Sequence, residues 1–206
     1  MAATPIAIVD YGLGNLRSVL NALRHVGAEA ELVTAPEALA GRPGVIIPGV
    51  GAFEQAIAAL RDTGMVEALD AARQAGTPLL GICLGMQLMC RSSEEDGLHE
   101  GLGWIDAAVK RIPAAPTIKV PHIGWNDLAF AREHPLLREL PPAPDVYFVH
   151  SYRVECADEA DVLATCDYGG RFCAMFARDN VMGIQFHPEK SQLVGLQILQ
   201  NFVGSL

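Results

Sequence analysis

An α/β fold with an open, mostly parallel central sheet and helices on both faces is predicted by three features of this 206-residue chain. Short apolar runs of strand length alternate with helical stretches from Ile6 to Cys90, a pattern that implies right-handed crossovers between parallel strands. Glycine-rich turns follow several of the apolar runs, and open parallel sheets carry their sites beyond the strand C-termini. From Trp104 to Asp179, β-rich segments are broken by prolines at 113, 116, 121, 135, 141, 142 and 144, which predicts a largely antiparallel β extension beside the core. With 50% hydrophobic residues and no linker-like stretch, residues 1–206 read as a single domain able to bury a full core.

In order, Ile6–Val9 is a buried strand, and Asp10-Tyr-Gly-Leu-Gly-Asn15 is a turn at its C-terminal end. A helix from Leu16 to Val26 puts Leu16, Val19, Leu20, Leu23 and Val26 on one face and stops at Gly27. The turn lacks the third glycine of a dinucleotide fingerprint and any Gly-Lys-Ser/Thr, so it is not read as a nucleotide loop. A strand at Ala30–Val33, a short helix at Pro36–Ala40 and a strand at Gly44–Ile47 follow, then helices at Phe53–Arg61 and Met65–Ala75. Leu79, Leu80 and Ile82 form the next strand, and Leu84–Cys90 starts a helix. The polar run Arg91–Glu100 reads as a solvated loop. The extension contains β segments at Ala107–Ile112, Asp127–Phe130, Val146–Val149, Val162–Cys166 and Ala174–Ala177. Val181–Phe186 is a strand, and Ser191–Val203 a final amphipathic helix. Trp125 reads as core on composition, and the histidines at 122, 134 and 150 as structural.

A net charge of −9 without a basic patch argues against nucleic acid as the main partner. The start Met1-Ala-Ala-Thr-Pro5 has no signal-peptide pattern, and every apolar run is too short for a membrane span. A soluble, cytoplasmic protein is expected. Five cysteines without a Cys-x-x-Cys pair fit a reducing compartment, with neither a disulfide framework nor a metal site. No cofactor is expected.

Gly81 and Gly85 flank Cys83 at two residues on either side, the spacing of a nucleophile elbow, where a tight strand-to-helix turn lifts one side chain clear of the sheet. The first free N–H groups of the helix favour a thiolate there. A cysteine in an apolar run is ordinarily core, so the chemical reading needs a base and an oxyanion hole. His187-Pro188-Glu189 at a strand end offers an imidazole with a carboxylate to orient it. Pro48-Gly-Val-Gly-Ala-Phe53 follows a buried strand, and its glycines let backbone N–H groups approach a developing oxyanion.

Gly81-Ile-Cys-Leu-Gly-Met-Gln87 and His187-Pro-Glu189 resemble the class I, or triad, glutamine amidotransferases. Asp10–Asn15, Pro48–Phe53, His122-Ile-Gly-Trp-Asn126 and Tyr147-Phe-Val-His-Ser-Tyr152 resemble, more narrowly, the glutaminase subunits of imidazole glycerol phosphate synthase, so the likeness spans the chain. The resemblance implies Cys83 as nucleophile, His187 as general base and acid, and Glu189 as its orienting group. It implies an oxyanion hole from Val50, Gly51 and Leu84, and glutamine contacts from Gly49, Gln87 and Glu95. Glu94 or Asp96 takes the place of Glu95 if the register is shifted. It further implies a heterodimer with a (β/α)₈-barrel cyclase that receives ammonia, with Trp125, Asn126 and Tyr147 facing the partner around the ammonia exit; Asn15, on the loop at the Cys83 edge, and Lys190, beside the triad, are expected at the interface by position. Val50 lies between two glycines, so its peptide rotates at little steric cost, and the hole is expected to complete when a partner docks. The rival readings are another triad glutaminase, serving anthranilate, aminodeoxychorismate or pyridoxal phosphate synthesis, a cysteine γ-glutamyl hydrolase, and a non-enzymatic binding subunit.

Overall fold

The computed structural model describes residues 4–206. The strands are β1 (Ile6–Val9), β2 (Ala30–Val33), β3 (Val45–Gly49), β4 (Leu79–Cys83), β5 (Cys90–Ser93), β6 (His99–Glu100) and β7 (Ile105–Arg111). They continue with β8 (His122–Asp127), β9 (Ala129–Phe130), β10 (Asp145–His150), β11 (Tyr152–Cys156), β12 (Val162–Asp167), β13 (Arg171–Arg178) and β14 (Val181–Ile184). The α-helices are α1 (Leu16–His25), α2 (Phe53–Asp62), α3 (Met65–Gln74), α4 (Leu84–Leu88) and α5 (Gln192–Val203).

β2-β1-β3-β4-β14 form the parallel half of a large sheet. β13, β11, β7, β5 and β6 extend it, mostly antiparallel, and β12 and β9 attach beside β13. β10 and β8 pair as a separate antiparallel ribbon. The parallel strands are apolar on both faces because each face is covered. Ala7, Val9, Val45, Ile47 and Leu79 pack with Phe53, Leu60, Met65 and Leu69 of α2 and α3. Ile6, Ile8, Ile46, Leu80 and Ile82 pack on the other side with Val19 and Leu23 of α1 and with Ile198, Leu199 and Phe202 of α5. Continuous apolar runs are the expected signature of such doubly covered strands.

The structure departs from the sequence expectations at four places. The helix expected over Leu84–Cys90 ends at Leu88, and Cys90 opens β5, which pairs in parallel with β7. The expected loop Arg91–Glu100 is instead the hairpin β5–β6, with Ser93 fully buried. His122–Asp127 and Tyr152–Cys156 are strands that the pattern did not show. Trp125, which composition alone would bury, is 47% exposed, because it lies on the outer face of the β8–β10 ribbon. No helix among the described residues is long and apolar enough to cross a membrane.

Candidate active site

Cys83 closes β4 with φ +56° and ψ −109°, a backbone conformation that side-chain-bearing residues rarely adopt, and α4 begins at the next residue. Such outliers persist only where the surrounding packing over-determines them. Here the close approach of α4 to β3 does so: a Cβ at Gly85 would lie 1.7 Å from the Ile47 carbonyl oxygen. Gly49 pairs with Cys83 across β3 and β4, and Ile184 with Ile82 across β14 and β4. The loop after β3, the elbow after β4 and the His187 segment after β14 therefore leave the sheet side by side at one edge.

His187 is 2% exposed, and its Nδ1 lies 2.9 Å from Glu189 Oε1, whose side chain is also buried. The carboxylate accepts from Nδ1, so Nε2 is the nitrogen free to exchange a proton; it has no hydrogen-bond partner among the described residues. Ser191 locks the segment, donating its hydroxyl to the His187 carbonyl at 2.7 Å and accepting from the Tyr147 N–H at 2.9 Å. Burial opposes a charged imidazole, but the nearby Cys83 sulfur and then the Glu189 carboxylate outweigh it and push His187 up to about 9. His187 is thus disposed toward the imidazolium form.

Two other histidines lie behind the site. His150 Nδ1 donates to the Tyr152 carbonyl at 2.8 Å, so its Nε2 accepts from His122 Nδ1 at 3.0 Å. Burial lowers His150 to about 3 and His122 to about 4, and both are neutral at pH 7. These opposite shifts define a stability window. The fold holds the His187 proton more tightly than the unfolded chain, so that contribution is complete below pH 6.5 and is lost as pH rises through about 9. The fold resists protonating His150 and His122, so their contribution is complete above 6.5 and is lost as pH falls toward 4 and 3. Melting temperature measured against pH should decline on both sides, and His187→Asn should flatten the alkaline limb alone. An unchanged alkaline limb in that variant would refute the assignment.

A cavity of about 300 Å³ is lined by Val50, Gly51, Cys83, Leu84, Gln87, Glu95, His150, Tyr152 and His187, among others. The N–H groups of Val50 and Gly51 make no hydrogen bond within the described residues, and that of Leu84 starts a helix, where N–H groups have no intrahelical partner. All three residues line the cavity that holds Cys83. Gly51 has φ +103° and Val50 is 40% exposed. Glu95 Oε2 accepts the Phe53 N–H at the start of α2 at 2.7 Å; burial foremost, with the charge of Asp96, still holds its carboxyl above the ordinary range. Of the three acidic candidates at 94–96, Glu95 lines the cavity. Gln87 is 4% exposed, and its Nε2 is engaged with the Tyr152 carbonyl at 3.0 Å and with Gln185 at 2.9 Å. Its Oε1 is left to accept from a ligand. Gly49 is buried against the Tyr11 hydroxyl and Leu84 rather than lining the cavity. A larger hollow of about 690 Å³ along Phe130–Pro142 is lined by no cysteine, serine or threonine.

Among the residues expected at an interface, Trp125 and Tyr147 are direct cross-strand partners with rings 5.9 Å apart, and Lys190 Nζ stands 5.8 Å from the Tyr147 ring. Ile123 and Leu193 are exposed as well, and Leu193 shares a separate hollow with Trp125. Asn126 falls on the other face of β8, where its amide donates to the Asp167 carbonyl at 3.2 Å. Asn15 precedes α1, half-buried, without a side-chain cap. Sequence reasoning missed Tyr11, whose buried hydroxyl donates to the Pro48 carbonyl at 2.8 Å. It also missed Gln185 and the Tyr152 carbonyl. The available signal for Gln185 was a polar residue inside an apolar strand end.

Comparisons with known proteins agree with this geometry. The family model described as glutamine amidotransferase class-I matches residues 7–205. The imidazole glycerol phosphate synthase subunit HisH of Moorella thermoacetica is 48% identical over 96% of this chain and 93% of its own. The protein of the same name from Rhodospirillum rubrum is 48% identical over 96% and 97%. Among solved structures, PurLQS from Thermotoga maritima superposes with a TM-score of 0.78 at 20% identity, covering 99% of both chains. The glutaminase domain of Trypanosoma brucei CTPS gives 0.70 at 17%, covering 98% of this chain and 94% of that one; at such identities the likeness concerns the fold alone. A family match over nearly the whole chain, on a fold whose elbow, loop and histidine segment meet at one sheet edge, leads to one conclusion: the chain belongs to the class-I glutamine amidotransferase family.

Proposed function

We propose that this chain is the glutaminase subunit of imidazole glycerol phosphate synthase in histidine biosynthesis. It hydrolyses glutamine to glutamate and passes ammonia to a (β/α)₈-barrel cyclase in a cytoplasmic heterodimer that acts as a lyase when complete. The observation that carries the reading is the meeting of Cys83, His187 and the Val50–Gly51 loop around one small cavity. The relatives named HisH subunits of that synthase support the choice of partner.

In this mechanism the Cys83 thiolate attacks the side-chain carboxamide carbon of glutamine. The N–H groups of Val50, Gly51 and Leu84 hold the oxyanion as charge develops. Imidazolium Nε2 of His187 gives its proton to the departing ammonia, and a glutamyl thioester remains. His187, now neutral, takes a proton from water as the water attacks the thioester, and glutamate leaves. Glu189 keeps Nδ1 protonated throughout. Gln87 Oε1 and the Glu95 carboxylate suit the α-amino group of glutamine, both being acceptors on the cavity wall. Ammonia that escapes to water becomes ammonium and loses its lone pair, so synthesis from glutamine is efficient only with direct transfer across the Trp125, Tyr147 and Lys190 face.

Glutamate release from glutamine should be slow for the chain alone and rise strongly on adding an imidazole glycerol phosphate synthase cyclase with its ribonucleotide ligand. Cys83→Ala should abolish both rates. Equal rates with and without the cyclase would assign the chain to a different glutaminase; no release in either state would remove the enzymatic reading.

A further inference from the structure

Gln185 lies between β14 and His187, fully buried among apolar neighbours. A carboxamide in such a place is costly unless both its ends are satisfied. Its partners fix which end faces which neighbour. The Tyr152 carbonyl only accepts, so the Gln87 atom 3.0 Å from it is the amide nitrogen. The same nitrogen lies 2.9 Å from Gln185, so the Gln185 atom facing it is the oxygen. The remaining end of Gln185, its NH₂ group, faces the Cys83 sulfur at 3.7 Å. A backbone carbonyl thus sets the direction of two amides in series and aims an N–H at the nucleophile.

We infer that Gln185 is a further catalytic residue, donating a hydrogen bond from its amide N–H to the Cys83 sulfur as that sulfur becomes a thiolate, with Gln87 as the positioning residue that holds the amide in this sense. A thiol is a weak acceptor and a thiolate a strong one, so the bond tightens as the Cys83 proton moves to His187 Nε2. It weakens again in the thioester, where the sulfur is neutral. Gln87 therefore acts twice, with its N–H groups toward the protein and its oxygen toward the cavity. The titratable groups facing Cys83 are His187, with Glu189 behind it, and the Tyr11 phenol from the loop after β1; Glu95 and His150 stand across the cavity. The role in turnover rests on the glutaminase reading, and the role at the sulfur does not.

The test is alkylation of Cys83 by iodoacetamide in the full chain, followed at the Cys83 peptide as a function of pH, with Cys83→Ala as the blank. Gln185→Met removes the donor at similar volume and should raise the pH midpoint by about one unit, the size of a hydrogen bond to a charged group. Gln185→Glu keeps the shape and the contact with Gln87 but turns an acceptor toward the sulfur, and should raise the midpoint further. With the cyclase present, kcat for glutamine should fall in both variants more than KM rises. An unchanged midpoint in a folded Gln185→Met variant overturns the inference. If that variant does not fold, an unchanged midpoint in Gln185→Glu does the same. Alkylation uses neither glutamine nor partner, so a wild-type chain without glutaminase activity would sink the functional reading and leave this result standing.

Discussion

Replacing His187 with alanine should lower partner-stimulated glutamine turnover by about 10²–10⁴-fold, the usual contribution of a positioned acid–base group. The expectation follows from its placement. Glu189 orients the ring through Nδ1 at 2.9 Å, Ser191 and the Tyr147 carbonyl hold its backbone, and Nε2 is the atom left toward Cys83. Without the ring, the sulfur loses its proton acceptor and ammonia its proton donor. Glu189→Gln should cost less, because a glutamine oxygen still accepts from Nδ1, although the carboxylate charge that supports the imidazolium is gone. Ammonium salts supplied to the complex should restore synthesis in both variants. Failure of that rescue would show damage to the complex rather than to glutamine chemistry. Turnover within tenfold of wild type in His187→Ala would refute its role.

The second large effect is expected far from the chemistry, at Gly195. A Cβ there would lie 1.9 Å from the Pro188 carbonyl oxygen and 2.7 Å from its carbon. Both obstacles are backbone, so no side chain can swing aside. The first turns of α5 therefore press on the Pro188–Lys190 turn, and alanine must push them apart. Overpacking of this kind costs about 3 kcal/mol, which for a chain of this size corresponds to a melting temperature lower by roughly 6–12 °C. Because the displaced turn carries Glu189, turnover should fall along with stability. A Gly195→Ala variant that melts like wild type would show that α5 is free to shift. One that melts lower but turns over normally would show that the turn moves without disturbing the triad.

The parallel half of the fold was legible because each strand is covered on both faces and so reads as an unbroken apolar run. The β1, β2, β4 and α1–α3 boundaries fall within a residue or two of the pattern. The misses have physical causes. β5 and β6 carry Arg91, His99 and Glu100 near the sheet edge, and only parts of them are buried, so their polarity imitates a loop. An apolar run is ambiguous between helix and strand, and Leu84–Cys90 contains both. β8 alternates buried His122 with exposed Ile123 and Trp125, inverting the usual meaning of polar and apolar positions. At the site, residues acting through their side chains along one sheet edge were readable from local motifs. Gln185 and the Tyr152 carbonyl were not, because their significance lies in contacts spanning 98 and 65 positions of chain.

The positive-φ backbone at Cys83 bears on the history of such chains as well as on their chemistry. A non-glycine residue held in so sparsely populated a region costs about 1–3 kcal/mol, and the molecule retains it against its own folding equilibrium. Natural proteins sit close to the stability they need, and strained functional positions are where activity and stability conflict. In a lineage that no longer required the thiol, glycine at this position would be favoured by folding alone. Loss of the nucleophile from an otherwise intact elbow is therefore the first mark that relaxed selection should leave on a chain built like this one.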